Sequence, residues 1–230
     1  MRFHHGQLMN KQPRRFGSLL LRILLAPFLV YFGMVIVLTV TYKFVNPPVS
    51  TLMLLRRFQG QVIHPIRFVT YFRLPLFARK GIVHLEDPTF WTNDGIDLGA
   101  IRDAWEIDQK LGRPVYGGST ITQQLARTLF LFPDKSYLRK GLEIATALIM
   151  NAILGKRRIL ELYLNSIEWG PGIFGINAAA HYWYHADVRD LSADHLARLE
   201  AIIVNPRYFR PYWLPERGGV LERYQALMGR

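Results

Sequence analysis

Apolar residues recur along most of this chain at the three-to-four-residue spacing of helices. One uncharged, predominantly apolar run, Ile23 to Val40, is long enough for a different role. After Asp97, Leu98, Ile101 and Trp105 share one helical face, and Asp97 stands where a cap belongs. Ile121, Leu125 and Leu129 form a second stripe, and Leu142, Ala145, Ile149 and Ala152 a third. A fourth comprises Ile159 and Tyr163 with Leu160 and Leu164. Leu196, Leu199 and Ile203 follow Ser192, a candidate N-cap, and Asn205-Pro206 ends that helix. No alternating segment is long enough to predict a sheet, and there is no internal repeat, so the expected fold class is mainly α.

The run Ile23 to Val40 extends to Leu19 and Tyr42 with Arg22 as its one charge. A bilayer-spanning helix needs about 20 such residues. Arg22 lies near enough to one end to reach the headgroups. A signal peptide would have a shorter apolar core and a small-residue cleavage site. Thr39-Val40-Thr41-Tyr42 offers none, which predicts an uncleaved anchor. Arg2, Lys11, Arg14 and Arg15 precede it and favour a cytoplasmic amino terminus. The remainder would then lie outside the cytoplasm, on a single-pass protein of the inner (plasma) membrane.

Charge sharpens that picture. The net charge is +12, and the first 85 residues hold twelve Lys or Arg with no acid before Glu86. The remainder balances at 17 of each sign, so the basic part is the part next to the membrane, where anionic lipid attracts it. Apolar residues interrupt these cations, which argues against nucleic acid as a partner. Asn46-Pro47-Pro48 breaks the anchor from the rest of the chain. Residues 50 to 80 are basic and aromatic, and read either as a segment at the membrane surface or as a basic amphipathic helix of the core. The expected division is a basic tail (1–18), an anchor (19–42), a membrane-proximal segment (43–80), a core (81–215) and a C-terminal tail (216–230). The absence of cysteine excludes a disulfide framework and decides no compartment.

Between the stripes lie dense polar strings. Glu86-Asp87-Pro88-Thr89-Phe90 continues through Asn93 to Gly95; Gly117 to Gln124 reads Gly-Gly-Ser-Thr-Ile-Thr-Gln-Gln; Arg139 to Glu143 reads Arg-Lys-Gly-Leu-Glu. Two carboxylates, a Gly/Ser/Thr loop and clustered cations suit sugar chemistry beside a phosphate-bearing group. Glycines let backbone N–H groups approach an anion closely, and Arg127, Arg139 and Lys140 supply charge. Ser119, Thr120, Gln123 and Gln124 offer donors for phosphate and sugar oxygens. Each string also has a plain reading. Glu86-Asp87 suits a helix cap, Glu143 an i,i+4 ion pair with Arg139, and Lys156-Arg157-Arg158 a solvated or lipid-facing charge run. The seven histidines form no H-E-x-x-H motif, so no metal site is predicted from the residues, and no nucleophile elbow or nucleotide loop occurs.

These strings resemble the glycosyltransferase module that polymerises peptidoglycan from lipid II, found alone or fused to penicillin-binding transpeptidases. Its motifs Glu-Asp-x-x-Phe-x-x-His-x-Gly, Gly-Gly-Ser-Thr-Ile-Thr-Gln-Gln, Arg-Lys-x-x-Glu and Ile-Leu-Glu-x-Tyr-Leu-Asn fall on Glu86 to Gly95, Gly117 to Gln124, Arg139 to Glu143 and Ile159 to Asn165. The resemblance covers roughly Gly81 to Tyr212, and with no transpeptidase after residue 230 the chain is similar to the monofunctional form. It implies a lysozyme-like, two-lobed helical fold with a cleft between the lobes. It further implies Glu86 as base for the acceptor sugar 4-hydroxyl, and Glu143 as second catalytic carboxylate near the departing diphosphate. Substrate contacts are expected at Asp87, Gly118, Ser119, Thr120, Gln123, Gln124, Arg127, Arg139, Lys140 and Asn165. The implied partners are lipid II, the growing glycan strand and membrane lipid, with penicillin-binding or division proteins beside them. No cofactor is required, and a divalent cation (Mg or Mn) at the diphosphate is left open. Asn93 departs from the motif's His, Arg127-Thr128 from its common Lys-Asn, and Pro88 restricts the backbone beside the base. These departures keep two further readings in view: a weakly active scaffold of the wall-building machinery, and a lytic transglycosylase.

Overall fold

The computed structural model describes residues 13–111, 118–134, 136–216 and 219–229. Most of the basic tail, Gly117 and the side chain of Trp105 lie outside the described residues. The anchor helix α1 runs Pro13–Tyr42, and α2 spans Thr51–Phe58 with Ser50 accepting from the Met53 N–H at 3.1 Å. Residues 61–70 are extended, a single 3-10 turn follows at Tyr71–Arg73, and α3 spans Leu76–Glu86. Then come α4 (Leu98–Leu111), α5 (Ile121–Phe130), α6 (Tyr137–Leu154) and α7 (Lys156–Ser166). A two-stranded antiparallel hairpin, β1 (Glu168–Gly170) with β2 (Ile173–Phe174), precedes α8 (Ile176–Tyr184), α9 (Ala193–Ala201) and α10 (Val220–Met228). The fold is mainly helical, as expected, and is consistent with the lysozyme-like helical fold. The hairpin was not foreseen, because strands of three and two residues carry no readable alternation.

The core is organised around α7. Ile159, Leu160, Leu162, Tyr163 and Leu164 are all fully buried, so this helix is enclosed on every side. Gly155 alone separates it from α6, at φ +75°, a conformation that L side chains rarely adopt. Helices α5 and α6 pack on α7 and on each other. The stripe expected on α6 is displaced by one residue. Its buried face is Glu143, Thr146, Ala147, Met150 and Leu154, while Leu142, Ala145 and Ile149 are half-buried and Ala152 is exposed. A charged residue holds the innermost face, which a hydrophobic pattern cannot register.

The anchor helix is long and apolar enough to cross a membrane over Arg22–Tyr42, and only 11% of that window is buried. That exposure separates it from a core helix of similar length. One stripe alone is covered: Tyr31, Val35, Leu38, Thr39 and Tyr42 face the domain, and the Tyr31 hydroxyl lies 2.9 Å from the Thr146 hydroxyl on α6. Arg158 closes the helix end by donating to the Tyr42 and Val45 carbonyls at 2.8 and 2.9 Å. Arg158 also pairs with Glu161. In the run Lys156-Arg157-Arg158, then, the last cation is a fastener of the fold.

The division expected at residue 81 falls inside α3, and residues 216–230, expected as a tail, contain α10 packed on α9. Asn165 has a structural task. Its carboxamide accepts from the Val69 N–H at 2.8 Å and donates to the Val69 carbonyl at 2.9 Å, clasping the extended segment to α7. It is almost fully buried in the core, which corrects its expected role in substrate contact. Replacing it by Ala would leave a buried N–H and C=O unpaired. Asn165→Ala is expected to destabilise the fold by about 2–4 kcal/mol, summing a penalty of about 1–3 kcal/mol for each orphaned group with partial relaxation. A melting temperature unchanged from that of the parent chain would refute the clasp.

Candidate functional site

Glu86 is the last residue of α3, and Asp87 caps that helix end. The same Asp87 begins another helix: its Oδ2 accepts the Ile121 N–H at 3.0 Å, at the first turn of α5. A carboxylate there satisfies an otherwise unpaired donor and lies at the positive end of the helix dipole. Its Oδ1 accepts from Asn93 Nδ2 at 2.9 Å and from the Thr89 hydroxyl at 3.2 Å. Burial pushes the Asp87 carboxyl up, against the lowering effect of these hydrogen bonds and of Lys156. Asp87 was expected among the substrate contacts. Both its oxygens instead accept from the protein, so it is the brace that aims the neighbouring Glu86.

Thr120 and Gln123 are likewise turned inward. Thr120 accepts from the Gln123 N–H at 3.1 Å while Gln123 Oε1 accepts from the Thr120 N–H at 2.9 Å, a reciprocal cap on α5. The Thr120 hydroxyl also donates to the Gly95 carbonyl at 2.6 Å. Both side chains are buried and support the loop, while Thr120, like Asp87, also borders the cleft beside Glu86. Gly118 packs against α4 with no space for a side chain: a Cβ there would meet the Ala100 carbonyl oxygen at 2.5 Å. Gln124 faces Glu86, donating from Nε2 to Glu86 Oε2 at 2.8 Å while its Oε1 accepts from the Tyr163 hydroxyl at 2.9 Å. Burial, and then the charge of Glu86, hold the Tyr163 hydroxyl well above its ordinary range, so it stays a donor. Glu86 Oε1 accepts from Arg223 on α10. Arg223 went unnoticed in the sequence because it lies beyond the four motifs, in the stretch expected as a tail.

Glu143 is fully buried and surrounded by cations. Arg139 Nη1 lies 2.5 Å from Oε2, Lys140 Nζ 2.6 Å from Oε1, and Arg127 Nη1 4.0 Å from Oε2. A carboxylate taken wholly from water is stable as an anion only when paired in this way. Both oxygens accept from protein donors, so Glu143 acts by holding its cations in place. Those cations reach outward. Arg127 and Lys140 keep 41% and 35% of their side-chain surface, and Lys140 also donates to the Ser119 hydroxyl at 2.8 Å. Ser119 thus joins the two halves of the site. It lines a cleft of about 300 Å³ together with Glu86, Asp97, Asp103 and Gly118. The expected residues Glu86, Gly118, Ser119, Gln124, Arg127, Arg139, Lys140 and Glu143 therefore converge around one loop.

Asn93, where the motif has His, is built into this framework. Its Oδ1 accepts from Lys156 Nζ at 2.8 Å and from the Gly95 N–H at 2.9 Å while its amide donates to Asp87. Lys156 also lies 4.9 Å from the centre of the Phe90 ring. Burial depresses the Lys156 ammonium, opposed by the charges of Asp87 and Asp94. This cation belongs to the support of the site.

A helical domain with carboxylates in a cleft, Glu86 among them, and a cation cluster beside it suits the transfer of a group from an anionic leaving group. The transglycosylase family model matches residues 58–229, and the chain belongs to that family. A biosynthetic peptidoglycan transglycosylase of Paraburkholderia phytofirmans is 38% identical over 202 residues, covering 84% of this chain and 82% of that relative. Proteins of the same description from Burkholderia multivorans and Burkholderia ambifaria are each 46% identical over 150 residues, 65% of this chain. In those two the matched stretch spans 60% of the relative's own length.

Removing Arg139 would uncover a buried carboxylate, although Lys140 and Arg127 remain. Arg139→Ala is expected to destabilise the fold by about 1–3 kcal/mol, below the full cost of breaking a buried pair. Lys140→Ala, which takes the donor from Glu143 Oε1, should destabilise the fold by a similar amount and, in the chain that remains folded, lower glycosyl transfer about tenfold or more. Thermal melts beside a polymerisation assay separate the two effects. Full turnover in a folded Lys140→Ala chain would make these cations structural only.

Proposed function

We propose that this protein is a membrane-anchored peptidoglycan glycosyltransferase that polymerises lipid II into glycan strands. The observation that carries the reading is the placement of Glu86 in a cleft whose loop hands over, through Ser119, to the Lys140–Glu143–Arg139 cluster. The acceptor 4-hydroxyl attacks the anomeric carbon of a lipid-diphosphate-linked sugar. A carbon–oxygen bond forms to the acceptor, its proton passes to Glu86, and the bond to the diphosphate breaks with the electron pair leaving on oxygen. Arg127, Arg139 and Lys140 meet that negative charge, and Glu143 keeps them aimed without itself approaching the reacting atoms. Three cations around one carboxylate do not fit a divalent cation (Mg or Mn) at this position, since such ions seek oxygen ligands. Side-chain charge serves the leaving group instead. New strands need cross-linking, so penicillin-binding proteins, with division proteins, are the proposed neighbours in the membrane.

Glu86→Gln keeps size and one of the two accepting oxygens and removes the acceptor of the proton. Strand synthesis should fall by at least about 10²-fold, the lower end for a general base, while the melt stays near that of the parent chain. Glu143→Gln should lose activity together with stability, because it loosens the cation cluster. Wild-type polymerisation by a folded Glu86→Gln chain would remove the base and favour a scaffold role. Release of soluble sugar fragments from purified wall would favour a lytic enzyme.

The proposed orientation places the amino terminus in the cytoplasm and the catalytic domain on the outer face of the inner membrane. A reporter fused after Arg230 should be active outside the cytoplasm, and the mature chain should retain Met1 to Arg22. A processed amino terminus near Tyr42 would overturn the anchor.

A further inference from the structure

Behind the base, α9 carries a carboxyl group that the reaction described above does not use. Glu200 is fully buried, and neither of its carboxyl oxygens has a hydrogen-bond partner. Buried polar groups are ordinarily paired, since an unpaired one destabilises the fold by several kcal/mol on the usual transfer scales. Its neighbours define what it can do. On α3, Gly81 lies so close that a Cβ there would meet Glu200 Oε2 at 2.1 Å and Leu227 Cδ2 at 3.1 Å. A glycine inside a helix costs about 1 kcal/mol relative to alanine, and here it makes room for a carboxyl group.

From α10 comes Arg223. Its Nη2 donates to Glu86 Oε1 and, at 3.4 Å, to the backbone carbonyl of Glu200. Its Nε is buried and lacks a partner, like the two Glu200 oxygens. An orphaned donor and two orphaned acceptors therefore belong to two residues already joined through the Glu200 carbonyl, and the same guanidinium holds Glu86. Burial pushes the Glu200 carboxyl well above the usual carboxylate range, with the charge of Arg223 opposing it. That shift favours the neutral acid. Among the other charged groups nearby, Lys80 and His84 line the outer groove beside Gly81 and Leu227. Asp194 and Arg198 on α9 are paired with each other.

We infer that Glu200 is a positioning residue for Glu86: its carboxyl oxygen accepts from Arg223 Nε–H and so fixes the edge of the guanidinium that meets the base. In the structure Arg223 Nε and both Glu200 oxygens lack a partner, and the bond forms when the two side chains turn toward each other. A neutral acid suits this task, because it supplies an acceptor without becoming a second anion on the cation that holds Glu86. The inference rests on the reading of Glu86 as base, and it adds a second tier, Glu200 to Arg223 to Glu86, reaching the base from the side opposite Gln124 and Tyr163.

Glu200→Leu removes the acceptor at similar volume, while Glu200→Gln retains it. The full membrane-anchored chain, solubilised in detergent, would be assayed with lipid II for kcat and KM, with thermal melts alongside. Glu200→Leu should lower kcat about tenfold, with KM changed by no more than about twofold, a size typical of coupling between contacting residues. Its melting temperature should be equal or higher, because replacing an unpaired buried polar group by an apolar one is neutral or stabilising. Glu200→Gln should recover kcat to within about threefold of the parent chain. Combined with Arg223→Ala, Glu200→Leu should cause no loss beyond that of Arg223→Ala alone. Wild-type kcat in Glu200→Leu, or losses that multiply in the double variant, would overturn the inference. If Glu200→Leu fails to fold, Gly81→Ala with Glu200→Ala fills the vacated space and must show the same loss of kcat. An active Glu86→Gln chain would overturn the base itself. An inactive Glu86→Gln beside a fully active Glu200→Leu would overturn this second tier alone.

Discussion

The bond from the Ile121 N–H to Asp87 fixes where everything else in the site can stand. It ties the end of α3, which carries Glu86, to the start of α5, which carries Gln124 and Arg127. A carboxylate is well suited to that junction, since the first turn of a helix leaves N–H groups unpaired and carries partial positive charge. Because Asp87 also receives Asn93 and Thr89, the loop after α3 is held by the same two oxygens. The base therefore projects from a point where three segments are already fastened. Little conformational freedom remains to be lost when a substrate arrives.

The cation cluster solves a different problem. Three positive side chains near one another repel, and the arrangement persists because a buried Glu143 lies beneath them. Two of the cations then keep part of their surface in the open while their charge is held at a set place. A diphosphate arriving there meets preorganised charge, which costs less reorganisation than recruiting mobile lysines from solvent. In this arrangement Glu143 and Glu86 are not a symmetric acid–base pair. One is buried and fully paired; the other lines the cleft and is steadied by Gln124 and Arg223.

Much of this was legible in the residues, and the limits have physical causes. The helices from Asp97 onward, their caps at Asp97 and Ser192, and the anchor all depend on local pattern, which a single chain displays. The composition of the site was likewise open to reading, because an unbroken Gly-Ser-Thr-Gln string beside paired cations serves few purposes in a core. Division of labour within the motifs was not. Asp87, Thr120, Gln123 and Asn165 bear the residue types of ligand contacts, yet all four satisfy backbone groups of the protein. Only the three-dimensional partner tells a polar residue that holds a loop from one that holds a substrate. Arg223 and Glu200 were invisible for a further reason. Arg223 meets Glu86 across more than a hundred residues of chain, Glu200 adjoins Arg223, and no short-range spacing encodes such contacts.

The anchor extends the same logic to the membrane. Its covered stripe lies on α6, where Tyr31 meets Thr146, three residues after Glu143 on that helix. Arg158 closes the end of the anchor from α7, whose Tyr163 supports Gln124 and through it Glu86. The apolar N-terminal helix is thus packed on α6 and tied at its end to α7 through Arg158, the two helices that support the two halves of the site. The lipid-linked substrate proposed for this protein is confined to the membrane plane, so under that proposal the height and tilt of the cleft over the plane decide whether its diphosphate reaches the cations. Packing the span on α6 and fastening its end to Arg158 of α7 sets that height through rigid elements, where a flexible linker after Asn46-Pro47-Pro48 would have left it variable.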